Sequence, residues 1–215
     1  MKYTTIIFDL DGTLLNTLAD LAAATNHALA EHKLPQRTTD EVRQFVGNGI
    51  RKLIERAVPA DTPAELQEEV FASFNRYYKQ HCADSTRPYD GVPQLLQQLR
   101  TAGCCTAIVS NKADYGVHAL AKQYFNGQLD AACGERAGIA KKPAPDMLLA
   151  IMQQLKAEPA STIYIGDSDT DIATASNAGV DCIGACWGFR GRAFLEAHGA
   201  KLLAETVGDI WKLIK

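Results

Sequence analysis

The run Thr5-Ile6-Ile7-Phe8-Asp9-Leu10-Asp11-Gly12-Thr13 constrains the fold more than any other part of the chain. Thr5 to Phe8 are four apolar or β-branched residues in succession, the pattern of a strand buried on both faces of a parallel sheet. This strand runs straight into two acids, Asp9 and Asp11, and Gly12 turns the chain at once. Buried carboxylates are costly unless they are paired or bound to a cation. The carboxyl end of a strand is also where open α/β sheets place their ligands. A lone Asp there reads as a solvated strand end; two acids flanking one residue before Gly-Thr point to a site.

The rest of the chain tells which kind of sheet this strand joins. Residues 16–85 carry helical signals only. Leu18, Leu21, Ala22, Thr25 and Leu29 have helical spacing, and Thr38-Thr39-Asp40-Glu41 has the form of a capping box. Gly47-Asn48-Gly49 breaks the pattern, Ile50, Leu53, Ile54 and Ala57 resume it, and Thr62-Pro63 opens another helix through Val70, Phe74 and Tyr78. From Arg87 onward helices and buried strands alternate. Strands are expected at Cys104–Val109, Ala131–Cys133, Thr162–Ile165 and Asp181–Ala185. Helices are expected from Val92, near Tyr115–Phe125, over Ala144–Lys156 and over Asp169–Ala178. Such alternation implies a parallel sheet. The expectation is an α/β fold: a Rossmann-like parallel sheet core, residues 1–15 and 86–215, with an inserted all-α helical cap, residues 16–85. The insert leaves and rejoins the core beside Asp9, so it is expected to lie over that strand end as a lid.

Composition removes several classes of function. The chain has 215 residues, 47% of them hydrophobic, enough for a real core, and a net charge of -3, so no basic surplus marks a nucleic-acid partner. No apolar run reaches the roughly 18 residues of a membrane span, and Met1-Lys2-Tyr3-Thr4 leads into a strand without a signal-peptide pattern. The six cysteines, at 82, 104, 105, 133, 182 and 186, form no CxxC pair. Dispersed thiols of this kind suit a reducing cytoplasm, the expected location, and not a zinc site. Neither composition nor pattern decides between a monomer and a homodimer.

Three further segments carry polar chemistry at expected strand ends or just before a helix: Ser110-Asn111, Lys141-Lys142-Pro143, and Asp167-Ser168-Asp169-Thr170-Asp171. Each has a plain reading alone. Ser110-Asn111 caps a helix, Lys142 is solvated, and Asp167 and Asp171 flank a helix N-terminus where negative charge is favoured. Together on one sheet edge they suggest phosphoryl transfer. Asp9 and Asp167 are hard oxygen ligands suited to Mg²⁺, which requires the first and fourth long strands to be neighbours with the second on the other side of the first. Backbone amides near Asp11 and Gly12, the Ser110 hydroxyl with Asn111 beside it, and Lys142 would hold phosphate oxygens.

These segments, in this order, resemble the motifs of the haloacid dehalogenase-like superfamily. Asp9-Leu10-Asp11-Gly12-Thr13 is similar to its first motif, Ser110 to the second, Lys142 before Pro143 to the third, and Gly166-Asp167-xxx-Asp171 to the fourth. Phe45-Val46-Gly47-Asn48-Gly49 with Leu53 and Glu55-Arg56-Ala57 resembles the phosphoglycolate phosphatases of that superfamily. The resemblance implies that Asp9 is the nucleophile and forms an aspartyl-phosphate, and that Asp11 is the general acid and then the base. It implies that Asp9, Asp11 through its carbonyl, and Asp167 bind Mg²⁺, and that Ser110 and Lys142 hold the phosphoryl oxygens. Asp171 would orient Lys142 or serve the metal. The substrate would be a small phosphomonoester, 2-phosphoglycolate first, with Gly47, Asn48 and Gly49 lining its place and Arg51 or Arg43 pairing with its carboxylate. A pyrophosphatase or a β-phosphoglucomutase-like enzyme is the alternative on this scaffold, and a non-enzymatic phospho-acceptor or a metal-free dehalogenase ranks below both. Asn16 stands where relatives commonly carry an acid. Trp187-Gly188-Phe189-Arg190, after the last clear strand, borders the site or a partner surface on one reading and simply packs on the other, and packing is the preferred one.

Overall fold

A computed structural model describes all 215 residues. In chain order the elements begin with β1 (Thr5–Phe8), β2 (Leu15–Asn16), α1 (Leu18–Glu31), α2 (Thr39–Phe45), α3 (Ile50–Ala57), α4 (Ala64–His81) and β3 (Arg87–Pro88). They continue with α5 (Val92–Thr101), β4 (Cys105–Ala113), α6 (Asp114–Phe125), β5 (Ala131–Glu135), α7 (Asp146–Leu155), β6 (Thr162–Gly166) and α8 (Asp169–Ala178). β7 (Asp181–Ala185), α9 (Arg192–Ala197), β8 (Leu202–Ala204) and α10 (Val207–Leu213) complete the chain. Two compact units result, Met1–Leu15 with Pro88–Lys215, and Asn16–Arg87. The second crossing falls two residues later than the helical periodicity alone suggests, in the two-residue strand β3, which is too short to show a period.

The first unit is built on a six-stranded sheet in the order β5-β4-β1-β6-β7-β8, every neighbouring pair parallel. β1 therefore lies between β4 and β6, as a shared site at Asp9 and Asp167 requires. Phe8 is in register with Ile108 on one side and Ile165 on the other, and the Asp9 amide extends the ladder by donating to the Ile165 carbonyl at 2.8 Å. The strand order reverses at β1, which opens a crevice at the carboxyl edge. Below that edge Ile7, Ala107, Val109, Cys133 and Tyr164 pack on Met147, Leu148 and Ile151 of α7 and Ala175 of α8. Apolar burial of this kind, worth roughly 25 cal/mol per Å², holds the strand tips at fixed spacing.

The second unit is helical throughout. Leu21, Ala28 and Leu29 of α1, Val42 of α2, Leu53 and Ile54 of α3, and Val70, Phe74 and Tyr78 of α4 are its buried apolar residues. Thr38 forms the capping box read from its sequence, its hydroxyl accepting from the Glu41 amide at 3.2 Å. The Asn26 side chain exchanges two 2.8 Å bonds with the backbone of Arg37. Buried Asp20 in α1 accepts from the amides of Ser85 and Thr86 at 2.9 and 2.8 Å, fixing the segment that precedes β3. No helix of either unit is long and apolar enough to cross a membrane.

Candidate active site

The site is assembled at the tips of β1, β4 and β6. Lys142, in the loop before α7, sits at its centre with its side chain 2% exposed. Its Nζ donates to Asp171 Oδ1 at 2.6 Å and to the Tyr164 hydroxyl at 2.9 Å, and lies 3.0 Å from Asp9 Oδ1. Burial pulls its ammonium toward neutrality, but the Asp171 and Asp9 carboxylates outweigh that and raise it above the ordinary lysine value. Asn111 holds the loop in place: its Nδ2 donates to the Lys142 carbonyl at 3.0 Å and its Oδ1 accepts from the Lys142 amide at 2.8 Å. These bonds make Asn111 a positioning residue for Lys142, where the sequence suggested a contact with substrate.

Asp171 is fully buried, and three donors occupy both oxygens. Oδ1 takes Lys142 Nζ, with the Tyr164 hydroxyl oxygen 3.2 Å away, and Oδ2 takes the Ser168 amide at 3.0 Å and the Ser168 hydroxyl at 2.6 Å. Both sequence readings of Asp171 are thus present at once, since the Ser168 capping box that starts α8 also aims the carboxylate at Lys142. As an expected metal ligand it has no oxygen left without a donor. Tyr164 reads from sequence only as a strand residue. Its hydroxyl donates to the Val109 carbonyl at 2.8 Å, tying β6 to β4 beneath the lysine.

Asp9 and Asp167 are the carboxylates with capacity to spare. Oxygens of Asp9, Asp167 and Asp171 lie within 4.8 Å of one another. Lys142 is close enough to Asp9 Oδ1 to attract it, yet the two are not aligned for a hydrogen bond and Oδ1 has no donor of its own. Asp167 Oδ2 accepts from the Phe189 amide at 2.7 Å. Burial pushes Asp9 up to about 6, with Lys142 drawing it back and Asp171 and Asp11 adding to the rise. Burial likewise pushes Asp167 well above the carboxylate range, with Asp171 the next cause. Three buried carboxylates face one buried ammonium, an excess of two negative charges. A hard divalent cation matches that excess and the all-oxygen donor set, and Asp9 Oδ1 is the orphaned atom it would satisfy.

Three expectations need correction. The Gly12 amide was expected to bind phosphate, but it donates to the Leu15 carbonyl at 2.9 Å within its own turn. Gly12 serves by having no side chain: at φ 85° a Cβ there would stand 2.3 Å from Asp167 Oδ2. The loop after β7 does more than pack. The Trp187 indole donates to the Thr13 carbonyl at 3.0 Å, and a Cβ on Gly188 would meet Asp167 Cβ at 2.2 Å and the Gly12 carbonyl at 2.5 Å. With the Phe189 amide on Asp167, this loop fixes the carboxylate against the β1 turn. The available signal is a glycine three residues past the end of β7, the strand that neighbours β6. Finally, β4 does not stop at Val109 but continues to Ala113. It carries Lys112, which the motif reading passed over, to 3.1 and 3.3 Å from the two oxygens of Asp11. Buried Ser110 accepts from the Lys112 amide at 3.4 Å, a bond that uses an Oγ lone pair and not the O–H.

The residues expected in the helical unit lie within it as follows. Gly47 and Gly49 have φ of 120° and 86°, and the Asn48 side-chain oxygen accepts from Arg56 at 2.8 Å. Arg51 is ion-paired with Glu68 and lies over the Phe71 ring, 4.3 Å from its centroid. Arg43 pairs with Asp40 at 2.7 Å.

A parallel sheet whose central strand offers two acids at its tip, facing a buried lysine and a further acid from the next strand, defines an enzyme of phosphoryl transfer assisted by a divalent cation. A family model for haloacid dehalogenase-like hydrolases matches residues 6–185. The chain belongs to that family, and within it to the phosphoric monoester hydrolases. It is 34% identical over 209 residues to a phosphoglycolate phosphatase of Pseudomonas putida, an alignment covering 94% of this chain and 76% of that one. It is 31% identical over 191 residues to an N-acetylmuramic acid 6-phosphate phosphatase of Pseudomonas aeruginosa, covering 88% and 84%. Among solved structures, a candidate phosphoglycolate phosphatase from Lactobacillus delbrueckii subsp. bulgaricus superposes with a TM-score of 0.94 at 34% identity, covering 100% of this chain and 99% of that one.

Proposed function

We propose that the chain hydrolyses 2-phosphoglycolate to glycolate and phosphate through an aspartyl-phosphate on Asp9, with Mg²⁺ as the cation. The observation that carries this reading is the Asp9 carboxylate: buried, at the tip of the central strand, with one oxygen beside Lys142 and no hydrogen-bond donor on it. The substrate is supported by the phosphoglycolate phosphatases among the relatives and by the Gly47-Asn48-Gly49 segment, whose sequence resembles theirs. The second relative also acts on the phosphate ester of a carboxylic acid, so the substrate class is a phosphorylated acid.

Hydrolysis of a phosphate monoester needs acceleration of up to about 10²¹-fold, and no single group supplies that. Asp9 attacks phosphorus while the bond to the ester oxygen breaks, and Asp11 gives that oxygen its proton. Lys142 and the Ser110 hydroxyl hold the equatorial oxygens, and the Lys142 charge offsets repulsion between the carboxylate and the phosphate dianion. Water then attacks phosphorus of the acyl phosphate, Asp11 takes the proton back, and Asp9 is released as a carboxylate. A divalent cation held by Asp9, Asp167 and the Asp11 carbonyl supplies charge neutralisation when bound. Asp171, Tyr164 and Asn111 keep Lys142 aimed. Phosphate release should be measured with Mg²⁺ against phosphoglycolate, pyrophosphate, sugar phosphates and nucleotides. The reading expects phosphoglycolate to lead by kcat/KM, and activity to vanish on thorough chelation. Activity that survives chelation, or a pyrophosphate preference, would overturn it.

A further inference from the structure

The acid–base residue of the site has a buried cation beside it that the reaction as described above does not use. Lys112 is 5% exposed, and its Nζ lies 3.1 and 3.3 Å from the two oxygens of Asp11. Its aliphatic stem runs along Gly116, where a Cβ would stand in ordinary van der Waals contact with it, 3.5 Å from Lys112 Cε. We propose that Lys112 is the residue that reads the carboxylate of the substrate, binding a carboxylate one carbon away from the ester oxygen. This rests on the reading of Asp11 as the acid toward the leaving group.

The distances close. An acid in its working position is about 2.6–3.2 Å from the oxygen it protonates, so Lys112 Nζ is no more than about 6.5 Å from the ester oxygen. In a glycolate leaving group a single methylene links that oxygen to the carboxyl carbon, which puts the carboxylate oxygens about 3–4 Å from it at ordinary bond lengths. A charge-assisted bond of about 2.8 Å spans the remainder. A longer acid would carry its carboxylate past the ammonium, and an alcohol without one would offer Lys112 no charge to bind.

Arg51 and Arg43 are committed elsewhere, Arg51 to Glu68 and the Phe71 ring and Arg43 to Asp40, and both ion pairs are solvent-exposed. Exposed pairs contribute little, whereas a desolvated lysine discriminates strongly between a charged and a neutral group. The reader is therefore placed in the sheet unit, two residues beyond Ser110, and moves with the phosphate-binding strand.

The test compares kcat/KM for 2-phosphoglycolate and for ethyl phosphate, with Mg²⁺, in the wild type and in Lys112→Met, Lys112→Gln, Lys112→Arg and Arg51→Ala proteins. kcat/KM covers the steps through transfer to Asp9, where the leaving group is still present. The expected result is a loss of about thirtyfold or more on phosphoglycolate in the Met and Gln proteins, with ethyl phosphate changed much less. The preference for the acid should be largely kept in Lys112→Arg and unchanged in Arg51→Ala. An equal loss on both substrates in Lys112→Met and Lys112→Gln would show that Lys112 only positions Asp11, and would overturn the inference. So would loss of the preference in Arg51→Ala. Wild-type protein inactive on both esters would instead refute the phosphatase reading itself, which keeps the two failures apart.

Discussion

Replacing Lys142 by methionine removes one charge from a site that cannot spare it. Methionine keeps an unbranched chain of similar length, so the packing against Tyr164 is largely preserved. The ammonium is the only buried cation facing Asp9, Asp167 and Asp171, and its loss raises the excess of negative charge from two to three. Removing one partner of a buried ion pair costs about 3–5 kcal/mol, because the other charge is left uncompensated. For a chain of this length that corresponds to a fall in Tm of about 6–20 °C. The catalytic loss comes on top, since removing one donor to the charge that develops on the transferring group costs about 10²–10³ in kcat. Both should be read on one preparation: Tm by calorimetry with and without Mg²⁺, and kcat at saturating substrate well below the variant's Tm. Mg²⁺ should stabilise the variant more than the wild type, because more charge awaits neutralisation. A folded variant with kcat within a few-fold of wild type would refute the assignment of Lys142 to the phosphoryl group and leave it a structural cation.

Asp9→Asn should abolish turnover while the protein stays folded, checked by phosphate release and circular dichroism. The same variant tests the electrostatics. In metal-free protein Asp9 titrates near 6 against an ordinary value of 3.8, so the native state binds more protons between these values. Its contribution to stability therefore grows as pH falls from about 6 to about 4, by up to roughly 3 kcal/mol. That increment should be present in chelator, absent in Asp9→Asn, and suppressed in the wild type by saturating Mg²⁺; an identical pH slope of Tm in the two proteins would contradict it. Gly188→Ala places a Cβ against Asp167 and the Gly12 carbonyl, so the carboxylate has to move. Mg²⁺ affinity, followed by calorimetric titration, should weaken about 10–100-fold, and unchanged affinity would mean that the loop after β7 does not position Asp167.

The strand tips were legible because buried parallel strands are continuous apolar runs, and the polar residue that ends each run stands out against them. Asp9, Ser110 and Asp167 were found in that way, and the order of the strands followed from requiring Asp9 and Asp167 to share an ion. What escaped was anything that depends on how far a strand persists or how closely two loops approach. Lys112 was missed because β4 runs four residues past the end of its apolar stretch, with a register irregularity between Val109 and Ala113 that no pattern announces. Tyr164 looked like any aromatic in a buried strand, and only the neighbouring strand shows what its hydroxyl touches. The Gly12 amide was misjudged because a turn that closes on Leu15 uses it, and backbone hydrogen bonds of turns leave no residue-type signature. The roles of Gly12 and Gly188 are steric, and close approach appears only when Asp167 is in place between them. In the helical unit the caps and periodicity were plain in Thr38 and in the Leu53–Ile54 spacing, but the partners of Arg51 and Arg43 lie on exposed faces that periodicity does not resolve.

The most direct measurement is to mix the Mg²⁺-loaded protein with phosphoglycolate, quench in acid within milliseconds, and map the added phosphoryl mass by peptide mass spectrometry. The account predicts a transient acyl phosphate on the peptide that contains Asp9, absent in Asp9→Asn and decaying as free phosphate appears. Steady release of phosphate with no protein-bound phosphoryl group at any time, or with the group on a residue other than Asp9, would contradict it.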